Sequence, residues 1–190
     1  MNRRKAIGGI LGITGLGFAS VTGFKLFYAP STIDRGQLQR FENLLAELVD
    51  IIIPATETPG AKDAEVQDYI IRFMESCSSN KEYYNFLNGL ADVQNTCLND
   101  YGASFQECTI AEKTSVLQNL DNNYDVNSLV SKIDKKIRGR SFFTILKSLT
   151  VEGYCTSRLG ATQLLAYQPV PGRYTAITTL RPNQKAWATS

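Results

Sequence analysis

Apolar residues recur along this chain at three- and four-residue spacing, the period of helices that bury one face. Leu38, Phe41, Leu45, Leu48 and Ile52 place one apolar stripe on a helix over 34–53. Asp34 is positioned to cap that helix, and Pro54 ends it. A rigid turn follows, Pro54-Ala-Thr-Glu-Thr-Pro59-Gly60, and then a second helix carrying Val66, Tyr69, Ile70, Phe73 and Met74. A third is predicted over 81–99, with Tyr83, Phe86, Leu87, Leu90, Val93 and Cys97 on its face, broken at Tyr101-Gly102. Thr109-Ile-Ala-Glu112 is a capping box that opens a short helix bearing Val116, Leu117 and Leu120. The polar run 121–125 reads as a turn before a helix over 126–137. The segment 141–155 is apolar most of the way round, which predicts a central helix.

After Tyr167 the pattern stops. Gln168-Pro-Val-Pro-Gly-Arg-Tyr174 is incompatible with a helix, and the remainder to Ser190 has no repeating apolar face. Period-two alternation is not sustained anywhere, and no repeat divides the chain. The expectation is an all-α, compact single-domain bundle of about six helices with an extended C-terminal tail. Its boundaries are 1–30 for a leader, 31–174 for the helical domain and 175–190 for the tail.

The leader is set apart by composition. Arg3, Arg4 and Lys5 precede an uncharged run from Ala6 to Phe24, rich in glycine and only mildly apolar, and Lys25 follows it. This is the layout of an export signal, and Arg3-Arg4 is a twin-arginine pair. The match to twin-arginine leaders is partial, because Asn2 stands where Ser or Thr is usual. No A-x-A cleavage site is present. The run 6–24 approaches the roughly 20 residues that span a bilayer, so a retained membrane tether and a cleaved signal are both open. Gly8 and Gly12 carry helix-dimer spacing, but glycines of a weak signal core account for them.

Composition narrows the function. The hydrophobic share of 43% and charged share of 20% are those of a soluble globular protein. Net charge is +2, and without Arg3, Arg4 and Lys5 it falls close to neutral, which argues against a nucleic-acid partner. The chain has no histidine, so the commonest general base and metal ligand are missing. Cys77, Cys97, Cys108 and Cys155 form no C-x-x-C pair, which leaves zinc knuckles and haem attachment unsupported. An even cysteine count in an exported chain permits disulfides, and buried free thiols fit equally.

Motifs for catalysis are incomplete. Gly15-Leu-Gly17-Phe-Ala-Ser20 lies in the leader and ends in serine. Gly102-Ala-Ser104-Phe-Gln106 lacks the last glycine of a nucleophile elbow. Asp63, Glu65 and Asp68 cluster near the start of the second helix, where they favour its dipole more readily than they hold a metal. Glu152, inside the most apolar helix, calls for a partner, and Arg158 is the nearest cation downstream. No catalytic, cofactor-binding or metal site follows from these residues. Tyr167, Tyr174 and Trp187, aromatic and outside the helices, suit a partner surface.

Three segments carry a family likeness. The first is Glu47-Leu-Val-Asp-Ile-Ile-Ile-Pro54-Ala-Thr-Glu-Thr-Pro59-Gly60-Ala61. The second is Tyr101-Gly102 with Phe105 and the capping-box helix. The third runs from Phe142-Phe143 through Gly153-Tyr154-x-x-Ser157-x-x-Gly160 to Tyr167-x-Pro169-Val-Pro171-Gly172-x-Tyr174. With the twin-arginine leader, the chain resembles the gluconate 2-dehydrogenase subunit 3 family over nearly its whole length.

The resemblance implies a small, non-catalytic subunit of a periplasmic dehydrogenase of sugars, sugar acids or glycosides. It would assist export, folding and stability of a large flavoprotein of the glucose–methanol–choline type. FAD would reside in that partner, none in this chain, and a cytochrome c often takes the electrons onward. The Tat translocase would be met in transit. A histidine common in the family is absent; Val66-Gln67-Asp68 stands there, so no role of that histidine carries over. Under this reading Pro54, Thr58, Pro59 and Gly60, with Tyr167, Pro169, Pro171, Gly172, Tyr174 and Trp187, form the partner interface. The competing reading is an independent exported helical binding or scaffold protein without a catalytic partner.

Overall fold

The computed structural model describes residues 35–122, 140–170, 172, 177, 179, 180 and 182–188. The leader with Arg3 and Arg4, the tether at 6–24, the Asp34 cap and the helix predicted over 126–137 lie outside these residues. So do Pro171 and Tyr174 of the interface. Among the described residues no helix is long and apolar enough to cross a membrane.

The architecture is all-α. A 3-10 helix, Arg35–Phe41, leads into α1 (Glu42–Ile52). It is followed by α2 (Val66–Ser76), α3 (Asn80–Tyr101), α4 (Ile110–Asn122) and α5 (Phe142–Thr156), with a π-helical turn at Gly160–Leu164. The first predicted helix is thus two. Leu38 is buried in both readings, but Phe41 (φ −100°, ψ 8°) breaks the α geometry between the segments. The stripe survives because three-residue spacing serves a 3-10 helix as well as an α-helix.

Caps set the other boundaries. The Ser79 hydroxyl accepts from the Glu82 amide at 3.3 Å and starts α3. Gly102, at φ +70°, ends it, since the left-handed region costs glycine nothing. The predicted Thr109–Glu112 box is formed: the Glu112 carboxylate accepts from the Thr109 amide at 2.8 Å, and Thr109 Oγ1 accepts from the Glu112 amide at 3.4 Å. Ser141 caps α5 through the Thr144 amide.

The predicted central helix is central: α5 packs against α1, α2, α3, α4 and the π-turn. It buries Phe142, Phe143, Ile145, Leu146, Leu149 and Tyr154, and two glycines let it come close to its neighbours. A Cβ on Gly89 of α3 would sit 2.1 Å from Phe142 Cγ, and one on Gly153 would sit 2.6 Å from Tyr69 Cδ1 of α2. The helix is not enclosed all round, however. Lys147, Val151 and Glu152 are exposed.

That corrects the reading of Glu152, which is neither buried nor paired with Arg158. Its carboxylate accepts from the Tyr69 hydroxyl at 3.0 Å. Helix α5 stops at Thr156, and Ser157 is extended, which breaks the helical register before Arg158 is reached.

One arginine gathers three elements. The Arg35 guanidinium donates to the Glu75 carbonyl at 2.8 Å, the Ser78 carbonyl at 3.0 Å and Asn80 Oδ1 at 2.7 Å. It therefore covers the carbonyl-rich end of α2 with positive charge. The Tyr83 hydroxyl of α3 donates to the Arg35 carbonyl at 2.8 Å, and the guanidinium lies 5.6 Å from that ring's centre.

Candidate functional site

The turn after α1 is closed at its neck. The Ala61 amide donates to the Ile53 carbonyl at 2.9 Å, and the Gly60 amide donates to Asp63 Oδ2 at 2.9 Å. A Cβ on Gly60 would lie 2.7 Å from the Ala55 amide nitrogen, so backbone crowding demands glycine there. Gly60 and Ala61 are buried, Thr58 and Pro59 are half-buried, and residues Pro54 to Glu57 form the exposed tip. Next to the neck, Glu47 of α1 accepts from Lys62 at 2.7 Å and from Lys113 of α4 at 3.0 Å. Those two hydrogen bonds hold the Glu47 carboxyl below its ordinary range.

The Tyr154 hydroxyl, from the Gly153-Tyr154-x-x-Ser157-x-x-Gly160 segment, donates to the Pro59 carbonyl. Two of the three resembling segments therefore meet at one hydrogen bond, 95 residues apart in sequence. Each residue of that segment has a physical role. Gly153 admits the α2 side chains, and Tyr154 holds the turn. The Ser157 hydroxyl donates to the Tyr154 carbonyl at 2.7 Å and accepts from the Gly160 amide at 3.0 Å. Gly160 faces that same carbonyl, where a Cβ would come within 1.9 Å of the oxygen. The sharp exit into the π-turn exists because Ser157 supplies the bonds and Gly160 the room.

Beyond the turn the chain is extended, and one contact was invisible in the sequence. Ala166 forms an isolated parallel bridge with Trp187: the Ala166 amide donates to the Ala186 carbonyl at 2.8 Å, and the Ala188 amide donates to the Ala166 carbonyl at 3.0 Å. The bridge brings the backbone of Trp187 beside Ala166, the residue before Tyr167. Tyr167 is 48% exposed and Trp187 58%; Pro169 and Gly172 are exposed too. The aliphatics Val170, Ile177 and Leu180 are also open, at 77%, 89% and 80%. Aromatic character singled out Tyr167 and Trp187, whereas the aliphatics gave only the weaker signal of apolar residues in a segment with no helical face.

The acidic cluster is dispersed in role. Asp63 caps the Gly60 amide, Glu65 takes a left-handed backbone (φ 54°) just before α2, and Asp68 pairs with Arg72 at 3.8 Å. Among the described residues no three Cys, Asp or Glu side chains are grouped to hold a metal. A surface depression of 450 Å³ beside Tyr69, Arg72 and Phe73 is open to solvent. There, burial first and the Glu152 hydrogen bond second raise the Tyr69 hydroxyl's pKa, so it stays a donor.

What these residues build is a small helical protein of clamped turns, with exposed apolar side chains after the π-turn. The family model described as Gluconate 2-dehydrogenase subunit 3 matches residues 39–172. The chain belongs to that family, whose members are subunits of a multi-subunit dehydrogenase. No curated protein and no solved structure matches it.

Proposed function

We propose that this chain is the non-catalytic small subunit of a periplasmic FAD-dependent dehydrogenase of sugars or sugar acids, and that it escorts, folds and stabilises a catalytic flavoprotein of the glucose–methanol–choline type. Family membership over residues 39–172 carries the reading. The exposed residues that follow the π-turn support it: Tyr167, Val170, Ile177, Leu180 and Trp187 leave apolar surface open, and aromatic anchors of this kind dominate interface energies. The π-turn and the Ala166–Trp187 bridge fix the backbone beside Tyr167 and at Trp187, which lowers the entropy lost on docking. The tip Pro54–Glu57, held by its closed neck, is the second proposed contact. In this scheme FAD belongs to the partner, a cytochrome c receives its electrons, and Arg3-Arg4 addresses the loaded pair to the Tat translocase.

The test is recovery of the tagged full-length chain at native expression, followed by an absorption spectrum. A flavin spectrum and a co-eluting larger flavoprotein are expected. Combined Tyr167→Ala and Trp187→Ala should reduce that co-recovery by at least about tenfold without changing the chain's own melting. Combined Arg3→Lys and Arg4→Lys should remove both proteins from the periplasmic fraction. A colourless chain eluting alone would overturn the proposal in favour of an independent binding protein.

A further inference from the structure

Residues 182–188 return to the π-turn and are held there by polar contacts. The Lys185 ammonium donates to the Gln163 carbonyl, inside the π-turn. Two residues further on, the Ala166–Trp187 bridge fixes the register: the Ala166 amide donates to the Ala186 carbonyl and the Ala188 amide to the Ala166 carbonyl. The return is set up locally. Pro182 and Asn183 lie in a turn, and Asn183 is left-handed at φ 60°, a conformation that asparagine tolerates better than most residues.

The two sides of this contact are anchored unequally. The π-turn is tied to the helical body, because Gly160 is buried against the Tyr154 carbonyl and Ser157 holds its amide. Pro182 through Trp187 are exposed, by contrast, and Ala188 is half-buried, so this stretch brings little apolar surface out of water. Hydrogen bonds open to solvent exchange for bonds to water at small net loss, which places such a segment at the low end of local stability. Lys185 adds a charge to the contact, and cations are favoured beside the last carbonyls of a helical turn.

We infer that residues 182–188 are a releasable clasp latched by Lys185: it opens and closes on the π-turn as one unit while the helices stay folded, and its closed form is the state that presents Trp187 to a partner. The opening concerns this chain alone; the role in docking rests on the proposed function. A partner that binds the closed form binds more weakly as the closed fraction falls, so Lys185 is a positioning residue for the docking surface.

Amide hydrogen exchange of the full-length chain, read residue by residue by nuclear magnetic resonance, tests the clasp. The Ala166 and Ala188 amides should exchange through one shared opening, slowed by about 10- to 100-fold relative to an unstructured peptide, while the Leu149 and Thr150 amides of α5 are slowed by at least about 1000-fold. Lys185→Met keeps the length of the side chain and removes its donors; it should cut the protection of both clasp amides by about three- to tenfold and leave α5 unchanged. Asn183→Val penalises the left-handed turn with Lys185 in place, and should loosen the same two amides together. The two substitutions combined should leave the clasp open in much of the population and lower co-recovery of the flavoprotein by about twofold or more. Clasp amides as protected as those of α5, or not protected at all, would overturn the inference, as would Lys185→Met that leaves their protection unchanged. Full co-recovery by the doubly substituted chain with an open clasp would overturn the role in docking. The exchange data need no partner, so they decide the clasp even where the parent chain recovers no flavoprotein, the result that fails the proposed function.

Discussion

Replacing Gly160 by alanine tests whether the exit from α5 is held by backbone contact. The new Cβ would sit 1.9 Å from the Tyr154 carbonyl oxygen, 2.8 Å from its carbon and 3.3 Å from Ser157 Oγ. The obstacle is main chain inside the last turns of a helix and cannot rotate away, so the π-turn must retreat from α5. Overpacking of that kind costs about 1–3 kcal/mol. The retreat also breaks the hydrogen bond from the Gly160 amide to Ser157, for about 1 kcal/mol more. Alanine restricts the unfolded chain more than glycine does, which offsets about 0.4–1 kcal/mol. The net expectation is a loss of roughly 2–3 kcal/mol, or a melting temperature lower by about 5–10 °C for a chain of this length.

Thermal unfolding followed by far-ultraviolet circular dichroism reads that shift, and two other glycines calibrate it. At Gly172 an added Cβ meets only Gln168 Nε2, at 3.8 Å, so Gly172→Ala should melt with the parent. At Gly153 the contact is the Tyr69 ring, a side chain able to move, so Gly153→Ala should fall between the two. A Gly160→Ala chain that melts within about 1 °C of the parent would refute the reasoning, because a backbone overlap of this size has no cheap relief.

Arg35→Gln should cost about 2–4 kcal/mol in urea unfolding, since two carbonyls at and just past the end of α2 and the Asn80 side chain that opens α3 lose a charged donor; a loss under about 0.5 kcal/mol would show that water replaces it freely. Stability should also fall in acid, because hydrogen bonds from Lys62 and Lys113 lower the Glu47 pKa and the one from Arg140 lowers that of Glu82. Below the ordinary carboxylate range the unfolded chain then binds more protons than the folded one. The stabilisation is thus complete above about pH 5 and lost as pH falls through the depressed folded values. Glu47→Gln should cost about 1–3 kcal/mol at pH 7, where buried Lys113 loses its counter-charge, and the gap from the parent should narrow toward pH 3. A gap that is constant with pH would disprove the ion-pair account.

The features legible in the sequence were those whose cause is local. The apolar stripes of α2 and α3, the Thr109–Glu112 box and the stop at Gly102 each depend on residues within about one helical turn. The same rule reaches Ser79 and Glu82, whose spacing carries the capping signature that α3 uses. Arg35 was silent because its partners lie some 40 residues away, and no periodicity encodes a guanidinium crossing to another helix's end. Glu152 misled for a related reason. Apolar neighbours in sequence suggested burial, but burial is decided by which sectors of α5 other helices cover, and the Lys147–Val151–Glu152 sector is open.

The segments that carried the family likeness divide along the same line. Gly60, Gly153, Tyr154, Ser157 and Gly160 are held by main-chain crowding and by hydrogen bonds that tie the turn after α1 to the end of α5. A fold that needs these contacts constrains those residue types whether or not a partner is present. Among the described residues, nothing internal of that kind requires Tyr167, Val170, Ile177, Leu180 and Trp187 to be large and apolar, because each leaves much of its surface open to water. Under the proposed function, fold and partner would therefore draw on different residues in the C-terminal third. The π-turn that begins at Gly160 is the joint between them, so disturbing it should weaken partner binding through the position of the tail even where every exposed side chain is intact.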